Sequence, residues 1–130
     1  MRILLPPGWP RPRGYANGIS AKGRMVFTAG VVGWDEQQRF VAGDLVGQLR
    51  QVLGNTLAIL AEDGAGPEHI VRMTWYVVDR DEYVGRIKEV GAAYREVMGN
   101  HFPCMAAVQV AALIEPQARI EIETIAVVPE

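Results

Sequence analysis

Between Leu45 and Val78 the apolar residues change their period once, and that change limits the possible folds more than any other feature. Leu45, Leu49, Val52, Leu53, Leu57 and Leu60 recur at the spacing of one face of an α-helix. Gly64-Ala65-Gly66-Pro67 stops that pattern. From His69 to Val78 the period falls to two, with Val71, Met73, Trp75 and Val77 alternating with Arg72, Thr74, Tyr76 and Val78. The helix, opened by Asp44 at its cap, must bury one stripe, and a sheet containing the following strand is the surface at hand. A second helix is expected from Asp81, with Tyr83, Ile87, Val90, Tyr94, Val97 and Met98 as its stripe and Gly99-Asn100 at its end. Two more strands follow, Met105–Leu113 and Arg119–Val127, turning around Glu115-Pro116. Strand–helix–strand units cross over right-handed, so both helices should lie on one face of a mixed sheet in an α+β fold.

Ahead of these elements, Met1–Pro12 carries Pro6, Pro7, Pro10 and Pro12 and reads as an extended lead-in. Tyr15–Ser20 and Arg24–Val32 are β-prone runs, and Ala21-Lys22-Gly23 between them reads as a hairpin turn. Gly33–Gly43 is a polar loop, with a short strand expected at Phe40–Val41. A chain of 130 residues suits one domain. At 49% hydrophobic residues it can form a real core.

The formal net charge of −2, without a basic block, argues against a nucleic-acid partner. No apolar run reaches the roughly 20 residues of a membrane span. Cys104 is the only cysteine, which excludes an internal disulfide and suits a reducing, cytoplasmic setting. Two histidines and one cysteine do not suggest a metal site.

The alternation in the last strand points Ile120 and Ile122 at the helices and Glu121 and Glu123 away from them. On the strand before it, Val108 and Val110 are expected on the helix side and Met105, Ala107 and Gln109 on the far side. The middle strand adds Arg72, Thr74, Tyr76 and Val78 to the far side. A face that mixes small, aromatic and charged groups suits a subunit interface, so a homo-oligomer with crevices between chains is expected.

Several motifs then resemble one family. Gly14-Tyr15-Ala16-Asn17-Gly18 stands for a G-P-Y-S-Q-A motif, and Phe27-Thr28-Ala29-Gly30 for F-V-S-G. Gln48, Gln51 and Asn55 lie on the first helix, and Val71-Arg72-Met73-Thr74 with Asp79 surrounds the middle strand. Phe102-Pro103-Cys104-Met105 stands for F-P-A-R, and Ile120-Glu121-Ile122-Glu123-Thr124-Ile125-Ala126 for I-E-I-E-A-I-A. In this order they resemble the Rid family of reactive-intermediate deaminases, also labelled endoribonuclease L-PSP. The resemblance covers Arg13 to Val128. It implies a chorismate-mutase-like fold, a homotrimer with sites between subunits, and hydrolysis of enamines or imines such as 2-aminoacrylate to keto acids and ammonia, with no cofactor. In such sites the F-P-A-R arginine grips the substrate carboxylate, and a glutamate of I-E-I-E handles water and protons.

Here the arginine position is Met105, and Ala106 and Ala107 follow it. The resemblance therefore implies a small-molecule site around Tyr15, Asn17, Gly30, Trp34, Phe102, Cys104 and Met105, with Glu121 as the catalytic residue. The substrate would be an imine or enamine that lacks the usual carboxylate or holds it differently. A non-catalytic metabolite-binding trimer is the alternative, and RNA cleavage rests on the old label alone.

Each of these residues also has a plainer reading. Glu121 could form a salt bridge to Arg72 or Arg119. Cys104 suits a small hydrophobe better than a nucleophile paired with His101. Trp34 could line a pocket or cover the core, and Trp75 reads as core. Arg11 and Arg13 read as surface arginines, with a substitute anion grip as the sharper option. Asn55, in mid-helix, should serve helix packing or a buried hydrogen bond.

Overall fold

The computed structural model describes residues 1–130. In chain order it has β1 (Arg2–Leu4), β2 (Gly18–Ser20), β3 (Arg24–Phe27), β4 (Val31–Val32), α1 (Leu45–Ala61) and β5 (Ile70–Val77). These are followed by α2 (Arg80–Gly85), α3 (Ile87–Met98), β6 (Cys104–Gln109) and β7 (Ile120–Val128), with a single 3-10 turn at Pro67–His69 before β5. The main sheet runs β3-β7-β5-β6, and β4 continues the β3 edge along β7. Only β5–β6 is parallel, so the sheet is mixed as expected.

The period-two and period-3.6 stripes meet as expected. Leu45, Leu49, Leu53 and Leu60 of α1 are 0–1% exposed, as are Met73 and Trp75 of β5 and Ile120 and Ile122 of β7. Each such side chain contributes about 1.5–3 kcal/mol by leaving water. Gly33 lets α1 come close to the sheet edge: a Cβ there would lie 2.7 Å from the Gln48 carbonyl oxygen. Gln48 itself is 1% exposed. Its Nε2 donates to Ala42 O at 3.1 Å and Gln117 O at 2.9 Å, and its Oε1 accepts from Arg119 N at 2.8 Å. One buried amide thus ties two loops to the helix.

Five expectations need correction. First, the second helix is two: at Arg86 the backbone turns to φ −112°, ψ 22°, separating α2 from α3. Arg86 is held there by Asp44 at 3.1 Å and Glu89 at 2.5 Å, so the sheet carries three helices. Second, Asp44 sits at the N-cap position of α1, but its side chain makes no cap bond and turns to Arg86 instead. Third, β2 forms no hairpin with β3; it pairs antiparallel with β1, Ile3 opposite Ile19, in a separate two-stranded sheet. Fourth, Phe40–Val41 is not a strand, and Arg24–Val32 breaks at Thr28–Gly30 into β3 and β4.

Fifth, the faces of β6 are inverted. Met105, Ala107 and Gln109 are in register with Met73, Trp75 and Val77, all buried under the helices. Met105 packs against the core, and Gln109 Oε1 accepts from Arg80 N at the start of α2 at 2.6 Å. Cys104, Ala106 and Val108 therefore share the uncovered face with Arg72, Thr74 and Tyr76. Glu121 and Glu123 lie on that uncovered face, as expected, opposite Tyr76 and Thr74.

Candidate functional site

The inward turn of Met105 places it in a cavity of about 260 Å³ between the β5–β6 edge and the α2–α3 pair. Aromatic rings form its walls. Tyr94 of α3 stacks on Phe102 with centroids 5.4 Å apart. Trp75 meets Tyr83 edge-on at 6.4 Å and lies 6.1 Å from Tyr94. These spacings are within the favourable range for ring pairs. Tyr94 donates to His101 O at 2.6 Å, and burial pushes the phenols of both Tyr94 and Tyr83 up. In both, burial favours the neutral phenol over the phenolate.

Tyr15 stands at the cavity mouth, 44% exposed. It is held there because Ala16 N donates to Pro103 O at 3.0 Å and Ala16 bridges to Cys104. Asn17 opens into an adjoining hollow of about 210 Å³ with Arg11, His101 and Phe102. Arg13 reaches the cavity itself, on the same side as Met105.

Glu121 belongs to a different place. Its side chain lies over Gly30, where the β3–β4 edge breaks; a Cβ on Gly30 would sit 2.9 Å from the Glu121 carboxyl carbon. Thr28 secures the break: its N donates to Thr124 O at 2.9 Å and its Oγ1 accepts from Thr124 N at 3.0 Å. The Glu121 carboxylate has no ion pair or hydrogen bond in the chain. Arg119 is taken by Glu82 at 3.2 Å and by Gly43 O at 3.0 Å, and Arg72 forms no salt bridge, so the expected structural partners of Glu121 are not used within the chain. The neighbouring Glu123 accepts from Tyr76 Oη at 2.7 Å, and that bond, with the carboxylate's charge, raises the Tyr76 phenol.

The candidates thus fall into two groups. Tyr15, Phe102 and Met105 share one cavity, with Asn17 in the adjoining hollow, whereas Cys104 turns to the uncovered face of the sheet. Gly30 and Trp34 line an open groove along α1, with Glu121 over Gly30. Trp34 is half-buried against Phe40 at 5.8 Å, and its carbonyl accepts from Asn55 Nδ2 at 2.7 Å, the hydrogen bond expected of that asparagine. Met105 and Glu121 lie on opposite faces of the sheet, two strand spacings or about 10 Å apart sideways. Their partners on β5, Met73 and Tyr76, are also out of step along the strand. No small ligand touches both within one chain.

His101 does not form a dyad with Cys104: its Nε2 is 2.7 Å from Ile70 O. No cluster of three or more His, Cys, Asp or Glu could hold a metal ion. No helix is long and apolar enough to cross a membrane. A wider hollow of about 480 Å³ lies between the 40–43 and 116–119 segments, away from every candidate. Of its three polar side chains, Gln48, Gln117 and Arg119, the first and last are already engaged by the protein.

Trp75, Tyr83 and Arg95 line the Met105 cavity but were not legible as site residues, because they sit inside ordinary core and helix stripes. Gly91 was the available signal. A glycine in mid-helix, one turn before Arg95, leaves room for the guanidinium to fold back, Nη1 lying 3.3 Å from where a Cβ would be.

Residues 10–128 match the family described as endoribonuclease L-PSP. A RutC family protein of Pyrococcus horikoshii is 36% identical over 126 residues, covering 95% of each chain. A 2-iminobutanoate/2-iminopropanoate deaminase of Salmonella typhimurium is 35% identical over 116 residues, 87% of this chain and 86% of the relative. The crystal structure of YyfB from Yersinia pestis, a protein of unknown function of the conserved Rid family, superposes with a TM-score of 0.86 at 30% identity, covering 98% of both chains. The order of the Gly14–Gly18, Phe102–Met105 and Ile120–Ala126 motifs, the mixed sheet beneath them and these likenesses lead to one conclusion: the chain belongs to the endoribonuclease L-PSP family, the family of RutC and Rid proteins.

Proposed function

We propose that the chain hydrolyses a small imine or enamine, releasing ammonia, at pockets formed where copies of it meet in a homotrimer. The observation that carries this reading is the Glu121 carboxylate, half-buried, unpaired and seated over Gly30 at a break in the edge strand. A carboxylate without a structural partner is free to take a proton from water and return it to the leaving nitrogen. Water's oxygen ends on the carbon as a carbonyl, and the nitrogen leaves as ammonia. The deaminase name of the Salmonella relative supports the same chemistry.

The assembly follows from the same geometry. The uncovered sheet face carries Met25, Phe27 and Val108, 43–61% exposed, among charged groups, which suits burial against a second copy. Pairing one chain's Tyr15–Met105 cavity with another's Gly30–Glu121 edge would give a pocket with both walls and a base. Because Met105 cannot pair with a carboxylate, 2-aminoacrylate is a poor substrate in this reading.

The test measures ammonia release above the spontaneous rate from a panel of imines generated in situ, with the Salmonella deaminase as control. Turnover of at least one imine supports the reading. Spontaneous rates throughout, with the control active, would leave a metabolite-binding trimer instead.

A further inference from the structure

We infer that the aromatic cavity binds an organic carboxylate with a ring or bulky apolar body, and that Arg13 and Arg95 grip the charge that Met105 cannot. Two cations and no acid line the cavity. Neither guanidinium has an ion pair or a hydrogen bond within the chain, whereas Arg50 pairs with Glu96 and Arg86 with Glu89. Arg95 lies back over Gly91 on the cavity wall, its Nη1 in the space a side chain would fill. Two unpaired guanidinium groups beside an apolar cavity suit an anion that brings its own apolar body.

Trp75, 1% exposed, belongs to the same ring-lined wall. The remaining walls are rings and aliphatic groups, Tyr83, Val90 and Phe102 among them. An alanine-sized acid would leave those walls unfilled, whereas an aromatic ring stacks against them. This inference deepens the proposed function, on which it rests for the bound acid being the keto product of an imine. It thereby names the substrate class: 2-imino acids with aromatic or bulky apolar side chains.

Calorimetry with phenylpyruvate, pyruvate and phenylacetamide separates ring from charge. Phenylpyruvate is expected to bind at least about 10-fold more tightly than either of the others. Replacing both exposed arginines, Arg13→Gln with Arg95→Gln, should bring phenylpyruvate down to the affinity of phenylacetamide. Gly91→Leu fills the cavity and should abolish binding without lowering the melting temperature, since leucine is the better helix former. Phenylpyruvate binding no tighter than pyruvate, or unchanged by the double glutamine variant, overturns the inference. If Gly91→Leu melts lower, the surface arginine pair still decides. The two proposals fail separately. Turnover of small imines without phenylpyruvate binding would keep the deaminase and remove the pocket. Phenylpyruvate binding lost in Gly91→Leu, with no ammonia from any imine, would keep the pocket and remove the deaminase.

Discussion

The Met105 cavity and the Gly30–Glu121 edge are built in opposite ways. The cavity has walls and no base: its rings lock one another, and its tyrosines are pushed further from deprotonation by burial. The edge has a base and no walls: a free carboxylate lies over a glycine, beside an open groove. In the proposed reading the first holds apolar mass and the second moves a proton. The difference teaches that one chain does not bring the two together, because the sheet keeps them on opposite faces. In the proposed assembly a second copy supplies the missing half.

Glu121→Gln should break the contrast most severely. Glutamine keeps the shape over Gly30 but cannot take a proton, so turnover of an accepted imine should fall about 10²–10⁴-fold. Stability should change by less than about 0.5 kcal/mol, because no ion pair is lost. A variant that melts much lower and keeps its activity would make Glu121 a structural residue.

Gly30→Ala comes next. The added methyl collides with the carboxylate and must displace it, with an expected loss of about 10–100-fold in kcat and little change in KM. Equal losses in binding and turnover would mean that the glycine serves the fold.

Met105→Arg tests the other half. It should raise turnover of 2-aminoacrylate by about 10-fold or more by restoring a bidentate grip. No gain would mean that position 105 does not face the substrate carboxylate in the assembled site.

The smallest effect concerns the α2–α3 corner that shapes the cavity. Arg86 beside Glu89 holds that carboxyl below its ordinary 4.5. A lowered folded pKa means that the contribution is complete above 4.5 and fades as pH falls through the lower folded value. Glu89→Gln should therefore melt at most about 3 °C lower at pH 7, and the gap should close in strong acid. A gap that widens on acidification would contradict that ion pair.

The stripes of α1, β5 and β7 were legible because burial on one side imposes a strict period, as in Leu45–Leu60 and Ile120–Glu123. β6 was not. Cys104–Gln109 places small and apolar residues on both sides, so polarity carries no sign of which face is covered, and only the pairing with β5 decides. The α2–α3 break was hidden because Tyr83, Ile87, Val90 and Tyr94 continue one stripe across it. At the break Arg86 pairs with Asp44, 42 residues away, a contact that the local sequence does not display. The pairing of β2 with β1 rather than β3 is likewise a choice between partners that local propensity does not rank. For the candidate site, the motifs nominated Tyr15, Phe102, Met105 and Glu121. Their separation into two groups was not legible, because it depends on which face each strand shows.

The central claim, that each working site draws one half from each of two copies, is tested most directly by mixing two inactive variants. Glu121→Gln spoils the proton-moving half and Gly91→Leu spoils the cavity. Denaturing the two together in equal amounts and refolding them lets subunits associate at random. About a quarter of the sites should then combine two intact halves, and turnover should recover to about that fraction of the unaltered protein's rate. If each chain carried a whole site, every site in the mixture would still contain one spoiled half. Activity no higher than that of the two variants measured apart would contradict the account.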